Sequence, residues 1–194
     1  MIHLQIKLDE NDPLFILLIW NGSVWKKLYK FLFFRKLKPL FSATSFNELE
    51  ELFLEIEEKV AKSFAISCLS KKALLSSELC KKMEEKGISC ESIAKTLVFC
   101  QKIGALPDFQ TLENRIEKEL RKGRGLMYAK AKWQRSVHEE PIDWNSSEKR
   151  NLEKQAALTL IKKQKKDKKD LFLFLLRKGF RSEIIQEVLT QASE

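Results

Sequence analysis

Residues 79–97 read LCKKMEEKGISCESIAKTL, and residues 171–189 repeat the pattern, 92 positions later, as LFLFLLRKGFRSEIIQEVL. In both copies apolar residues recur every three or four positions, as on one face of an α-helix. Each copy is interrupted by a Lys-Gly pair, Lys86-Gly87 or Lys178-Gly179. Glycine suits the left-handed turn past a helix end, and a cation suits the carbonyl end of the helix. The pattern predicts a repeated helix–turn–helix unit, which is typical of repeat proteins.

The chain from Ser45 onward has the periodicity of amphipathic helices. Ser45 and Glu48 have the spacing of a capping box, and an apolar stripe follows from Leu49 to Val60. The glutamates interspersed with this stripe are interpreted as its solvated face: Glu50, Glu51, Glu55, Glu57 and Glu58. Glycine-containing breaks then divide the rest into roughly three units of about three helices each, with a divergent middle unit.

The N-terminal segment has a different pattern. Ile2, Leu4, Ile6 and Leu8 alternate with polar residues, and a second apolar run occupies residues 14–20. This predicts a small β-hairpin or meander that packs on the helices, with Trp20 and Trp25 as packing aromatics.

The predicted fold is therefore mainly α: tandem three-helix repeats in an elongated array, with a small N-terminal β-hairpin extension. We expect the extension over residues 1–44 and the first repeat with its lead-in helix over 45–104. A divergent second repeat is expected over 105–150, and a third over 151–194.

Composition restricts the class of protein and its partners. The net charge of +9 favours an anionic partner, although lysine on solvated helix faces would give the same value. The four cysteines are spaced by 10 to 12 residues, without the C-x-x-C pattern of a metal or redox site, and are predicted to be small buried side chains. The longest apolar run has seven residues, too short to span a bilayer. A cytoplasmic protein without membrane contact is expected.

Catalytic patterns are missing from the sequence. The two histidines, His3 and His138, lie in no nucleophile or metal arrangement, and no phosphate-binding glycine loop occurs. We therefore predict a non-enzyme that needs no cofactor or metal.

A basic cluster between residues 115 and 135 is the main candidate for a binding surface. It contains Arg115, Lys118, Arg121, Lys122, Arg124, Lys130, Lys132 and Arg135, against only Glu117 and Glu119. Phosphates or acidic side chains are the ligands that such a cluster attracts. Trp133 is predicted to be a core residue, while Tyr128 is open between core packing and stacking on bases.

Several motifs in the same order resemble those of the RecX family of bacterial RecA regulators. They are Ser76-Ser77-Glu78-Leu79, Lys86-Gly87-Ile88, Gly104-Ala105-Leu106-Pro107-Asp108, Arg121-Lys122-Gly123-Arg124-Gly125, and Phe174-Leu175-Leu176-Arg177-Lys178-Gly179-Phe180. The resemblance covers about residues 45–192. Departures fall in the middle repeat: Glu119 replaces a basic residue, Leu126 a common proline and Trp133 a leucine, Ser136-Val137 stands for a Lys-Gly pair, and residues 138–145 look like an insertion.

The resemblance implies a non-catalytic protein that binds the RecA recombinase, mostly as its filament on single-stranded DNA. A self-contained repeat array gives no reason to expect more than a monomer. It would inhibit the recombinase, ATPase and co-protease activities and so modulate recombination and the SOS response. The basic residues expected to contact protein or DNA are Lys71, Lys72, Arg121, Lys122, Arg124, Lys130, Lys132, Arg177, Lys178 and Arg181. The alternatives are a general nucleic-acid-binding helical protein without a recombinase partner, and an interaction module whose charge is only solvating.

Overall fold

The fold is taken from a computed structural model and is described for residues 4–133, 142–164 and 167–191. These residues form strands β1 (Leu4–Leu8), β2 (Phe15–Trp20) and β3 (Ser23–Tyr29), and helices α1 (Lys30–Phe33), α2 (Phe46–Leu69), α3 (Ser76–Glu84), α4 (Cys90–Lys102), α5 (Asp108–Arg121), α6 (Leu126–Trp133), α7 (Ser147–Ile161), α8 (Lys168–Arg177) and α9 (Ser182–Gln191). Short 3-10 turns occupy residues 34–36 and 38–42. The chain divides into two compact units, Met1–Pro107 and Asp108–Glu194.

The strands of the first unit form an antiparallel meander in the order β1-β2-β3. Asn21 and Gly22 both have positive φ, as the tight turn between β2 and β3 requires. Ile16, Leu18 and Leu28 are buried on the inner face, in one core with residues of α2. The prediction of a mainly helical chain with a small N-terminal β element is thereby confirmed.

Helix α2 begins where the capping pattern predicts. The Ser45 hydroxyl accepts a hydrogen bond from the Glu48 N–H at 3.2 Å. The predicted aromatic packing is also present: the ring of Trp25 lies 5.6 Å from that of Phe46 and 5.2 Å from that of Phe53, centroid to centroid. Capping therefore sets the start of α2, and the apolar face of the helix packs against the sheet.

In the first unit, the Lys86-Gly87 corner docks on β3. Gly87 has φ +75°, and a Cβ at this position would lie 2.5 Å from the carbonyl oxygen of Lys27. The Tyr29 N–H donates to the Lys86 carbonyl at 3.3 Å. Glycine is thus needed at this corner both for the left-handed backbone and for the close approach of strand β3.

The second Lys-Gly corner docks in the same manner on α6 within the second unit. The Gly125 N–H donates to the Lys178 carbonyl at 2.9 Å, and the Met127 N–H donates to the Gly179 carbonyl at 3.0 Å. A Cβ on Gly125 would lie 2.1 Å from the Gly179 oxygen. The two repeated corners therefore share a role, which is to bring one backbone into contact with another.

One expectation about α2 is wrong: Glu57 does not belong to its solvated face. The residue is 1% exposed, and its carboxylate accepts hydrogen bonds from the Ser89 N–H at 3.1 Å, from the Ser89 hydroxyl and from the Ser92 hydroxyl at 2.7 Å. Ser89 is the N-cap of α4. The buried carboxylate therefore ties the middle of α2 to the start of α4.

Glu153 of α7 has the equivalent position in the second unit. It is fully buried, and one of its oxygens accepts from the N–H of Leu126 at 3.0 Å and from that of Arg181 at 3.2 Å. Its second oxygen accepts from the Arg181 guanidinium at 2.7 Å. Leu126 begins α6, and Arg181 directly precedes α9. One carboxylate thus serves the starts of two helices.

The cysteines are mostly packed as predicted. Cys100 is buried and Cys68 and Cys80 are half-buried, but Cys90, the first residue of α4, is exposed. Burial raises the pKa of the Cys100 thiol and, together with Glu84, that of Cys80, so both remain protonated at neutral pH.

The contact at Gly87 predicts the effect of a single methyl group. Gly87→Ala is expected to cost about 1–2 kcal/mol for the positive φ, and about 1–3 kcal/mol more for the clash with the Lys27 carbonyl. Gly104→Ala is the matched control, since Gly104 has φ +69° and open space around its Cα. The free energy of unfolding from urea titrations should fall clearly further for Gly87→Ala. Equal losses in the two variants would contradict the docking of this corner.

Candidate functional site

The predicted basic corner between α5 and α6 is organised around a buried acid. Glu119, in the last turns of α5, has a side chain 5% exposed, and three cations contact its carboxylate. Arg124 lies at 2.7 Å, Lys132 at 3.2 Å and Lys122 at 3.6 Å from its oxygens. The structure therefore brings together three of the predicted site residues, and it does so through a residue that the prediction treated only as a departure.

The electrostatics of this cluster keep Glu119 ionised. Burial alone would raise its pKa, but hydrogen bonds from Arg124 and Lys132 and the charges of Lys132 and Lys122 outweigh that effect. The pKa of Glu119 is therefore below its ordinary value. Three cations around one carboxylate leave a net positive charge. The side chains of the three cations are 40 to 50% exposed, so this charge lies at the surface.

Tyr128 completes this cluster, and its exposure shows that it does not pack in the core. The ring is 38% exposed, and the Arg124 guanidinium lies 4.7 Å from its centroid while donating to its hydroxyl at 3.0 Å. Trp133, in contrast, is buried as predicted. Tyr128 thus presents an aromatic surface beside the cations, whereas Trp133 packs in the core. We name Glu119, Lys122, Arg124, Tyr128 and Lys132 the Glu119 cluster.

The second predicted basic corner lies beside the first, because the Gly125 and Met127 amides are bonded to the Lys178-Gly179 backbone. Arg177 and Lys178 are both exposed there, and the Lys178 ammonium lies 5.8 Å from the Phe174 ring centroid. Two segments more than fifty residues apart in sequence therefore contribute to one basic region of the second unit.

Arg181 has a structural contact that the charge pattern did not indicate. Its guanidinium is bonded to the buried Glu153 and, at 3.3 Å, to the side-chain oxygen of Asn145. Its side chain is only 17% exposed. Arg181 therefore compensates a buried charge within the protein, and we no longer expect it to be a main partner contact.

The remaining predicted site residues are dispersed. Arg121 is exposed and paired with Glu117 one helical turn earlier, and Lys130 is half-buried on α6, outside the Glu119 cluster. Lys71 and Lys72 are exposed in the turn after α2, in the first unit. Of these four residues, only Arg121 and Lys130 lie in the same unit as the Glu119 cluster, and neither is part of that cluster.

Sequence reasoning missed the roles of Glu119 and Glu153, although a signal was present. Glu119 lies three residues after Ile116 and seven after Leu112, both buried, so it falls on the apolar stripe of α5. Glu153 likewise lies four residues before the buried Ala157 on α7. An acidic residue at a stripe position predicts a buried, bonded carboxylate.

Other site types find no support among the described residues. No group of three or more histidine, cysteine or acidic side chains there is arranged to hold a metal ion. None of the helices in the described ranges has the length and apolar character needed to cross a membrane. His3 and His138, together with Ser136-Val137, lie outside those ranges.

The fold and the site define a helical-repeat protein with basic corners and a small N-terminal sheet. No protein-family model matches the chain. It is 25% identical over 143 residues to the regulatory protein RecX of Legionella pneumophila strain Corby, covering 66% of this chain and 91% of that protein. A second Legionella pneumophila RecX gives the same values.

Solved structures show the same likeness in fold. A crystal structure of regulatory protein RecX is similar with a TM-score of 0.60 and 12% identity, over 97% of this chain and 98% of that one. RecX from Lactobacillus salivarius is similar with a TM-score of 0.54 and 17% identity, over 70% and 96% of the two chains. The resemblance to the RecX family predicted from the sequence motifs is confirmed: the chain is similar in sequence to RecX proteins, which are named regulatory proteins, and similar in fold to RecX crystal structures.

The lowered pKa of Glu119 predicts a pH-dependent contribution to stability. Because the folded pKa lies below the unfolded value, ionised Glu119 stabilises the protein above about pH 4.5, and this contribution is lost as the pH falls through the folded pKa. Glu119→Gln should reduce the free energy of unfolding by about 1–2 kcal/mol at pH 7, since the partner cations are partly screened by solvent.

Urea titrations of both proteins at pH 7 and pH 3 check this prediction. The difference between wild type and Glu119→Gln should shrink at pH 3. Glu55→Gln, on an exposed pair with Lys59, is the control and should change little at either pH. A difference that stays constant with pH would contradict the assignment of Glu119 as an ionised centre.

Proposed function

We propose that the protein is a non-catalytic cytoplasmic regulator that binds the RecA recombinase filament on single-stranded DNA. In this role it inhibits the recombinase, ATPase and co-protease activities and so modulates recombination and the SOS response. The family resemblance, supported by the RecX relatives and the RecX-type fold, suggests the partner. The protein needs no nucleotide or metal of its own for this function, and it acts as a monomer.

The observation that carries the proposal is the basic region of the second unit. There the Glu119 cluster lies beside the exposed Arg177 and Lys178, with net positive charge. Acidic protein surface and DNA phosphates are the groups that such a region attracts. Contacts made by several repeats of one chain also strengthen each other, because the first contact raises the effective concentration of the next.

ATP hydrolysis by the cognate RecA on single-stranded DNA tests the proposal. The wild-type protein should inhibit hydrolysis well below one copy per recombinase. The variant Lys122→Gln/Arg177→Gln/Lys178→Gln removes exposed charge from the region but leaves the bonds of Arg124 and Lys132 to Glu119 intact. It should require at least about tenfold more protein for the same inhibition, since charge-assisted contacts are worth about 1.5–3 kcal/mol each.

A matched control separates location from total charge. Lys59→Gln/Lys95→Gln/Lys102→Gln removes three exposed lysines from helices of the first unit and gives the same net charge. Its inhibition should equal that of wild type. Unchanged inhibition in both triple variants would support solvating charge only, and equal weakening in both would assign the effect to total charge instead of to the basic region. Absence of inhibition by the wild-type protein would contradict the proposal.

The second candidate is a general nucleic-acid-binding protein, favoured by the exposed Tyr128 beside Arg124. In this case binding to single-stranded DNA alone should be tight and should fall by orders of magnitude between about 50 and 200 mM salt, if 6–10 phosphates are contacted. RecA hydrolysis would then decline only at protein concentrations that cover the DNA.

A further inference from the structure

The outer face of the N-terminal sheet carries aromatic rings in contact with one another. Phe15 and Tyr29 face each other across β2 and β3, with ring centroids 5.7 Å apart. The ring of Phe31, in α1, lies a further 5.7 Å from that of Tyr29. Phe31 is 74% exposed, the largest value among the exposed apolar side chains of the described residues. The three rings, which we name the aromatic strip, form a partly exposed apolar surface outside the core.

Lysines are interleaved with these rings. The Lys86 ammonium lies 3.6 Å from the Tyr29 centroid, and the Lys27 ammonium lies 4.9 Å from that of Phe15. In the next row of the sheet, Lys7 and Lys27 flank Leu17 on either side. Lys27 is also paired with Asp9 at 2.6 Å, so Lys7 and Lys86 supply most of the uncompensated charge.

Acidic residues near the aromatic strip include Asp9, whose N–H donates to the Phe15 carbonyl at 3.1 Å and whose carboxylate is paired with Lys27. The sequence that follows the turn between β1 and β2 is free of acid. Residues 13–47 contain six lysines and arginines but no aspartate or glutamate. Arg35, Lys36 and Lys38, directly after α1, are exposed, as are the neighbouring Phe34 and Phe41. Exposed aromatic rings and cations together favour an anionic ligand that also presents flat apolar groups.

Single-stranded nucleic acid has this chemistry, because bases and phosphates alternate along it. Bases stack on exposed aromatic rings, and lysines between the rings reach the intervening phosphates. A lipid surface fits less well, since it segregates charge above and acyl chains below, whereas Lys86 lies at the level of the rings. The only helix here, α1, has four residues and is too short to form an amphipathic membrane helix.

We propose that the outer face of the sheet, with the aromatic strip, Lys7 and Lys86, is a binding site for single-stranded nucleic acid. The site is separate from the basic region of the second unit and does not require a recombinase. It gives the N-terminal extension a function of its own. It also explains why Lys86, at the repeated Lys-Gly corner, is placed over a tyrosine of the sheet.

Fluorescence anisotropy of the full chain with labelled dT and rU oligonucleotides tests this proposal without any recombinase present. Phe31→Ala should weaken binding about tenfold or more, because a base–aromatic stack is lost. Lys86→Gln and Lys7→Gln should each reduce the slope of log affinity against log salt by about 0.7. An oligonucleotide that lacks bases should bind more weakly and should not distinguish Phe31→Ala from wild type.

Phe109→Ala is the matched control, since Phe109 is an exposed phenylalanine of α5 in the second unit. It should bind as wild type does, and Phe31→Trp should retain affinity. Equal affinities for Phe31→Ala and Phe109→Ala would overturn the site. Sedimentation with phosphatidylserine vesicles that depends on Phe31, without oligonucleotide binding, would overturn it in favour of a lipid surface. RecA inhibition that survives Phe31→Ala would leave the regulator proposal intact, so the two can fail separately.

Discussion

A buried carboxylate at the middle of a long helix constrains each of the two units. Removing a carboxylate from water costs several kcal/mol unless hydrogen-bond donors surround it. Glu57 and Glu153 meet this requirement with the N–H groups of Ser89 and Arg181, which stand at the starts of α4 and α9. The positive end of each helix dipole adds to the stabilisation. Since the donors lie two residues after Gly87 and Gly179, the carboxylates also fix where the two Lys-Gly corners lie within their units.

The second unit uses this constraint more heavily, and its departures from the family pattern follow from that. Glu153 also accepts from the Leu126 N–H, a donor that the proline common in the RecX pattern does not possess. Glu119 adds a second nearly buried carboxylate five residues before Arg124. Leu126 therefore introduces a donor and Glu119 an acceptor, and each has its partner in the fold.

The sequence was most informative where structure is decided locally. Capping at Ser45 and the left-handed backbone at Gly87 and Gly179 depend on neighbours a few positions away, and both features were predicted correctly. The burial of Glu57 was missed because it lies in an acidic run, and its partners are 32 and 35 residues away. Its spacing, four residues after Phe53, was the available signal. The separation of Arg181 from the exposed Arg177 was missed for the same reason, because its partner Glu153 lies 28 residues away in the sequence.

In both units, carboxylates hold lysine and arginine side chains in fixed positions. Asp9 holds Lys27, and Glu119 holds Lys122, Arg124 and Lys132, so each carboxylate lowers the local charge while fixing the position of the cations. Fixed cations lose less side-chain entropy on binding than free lysines do.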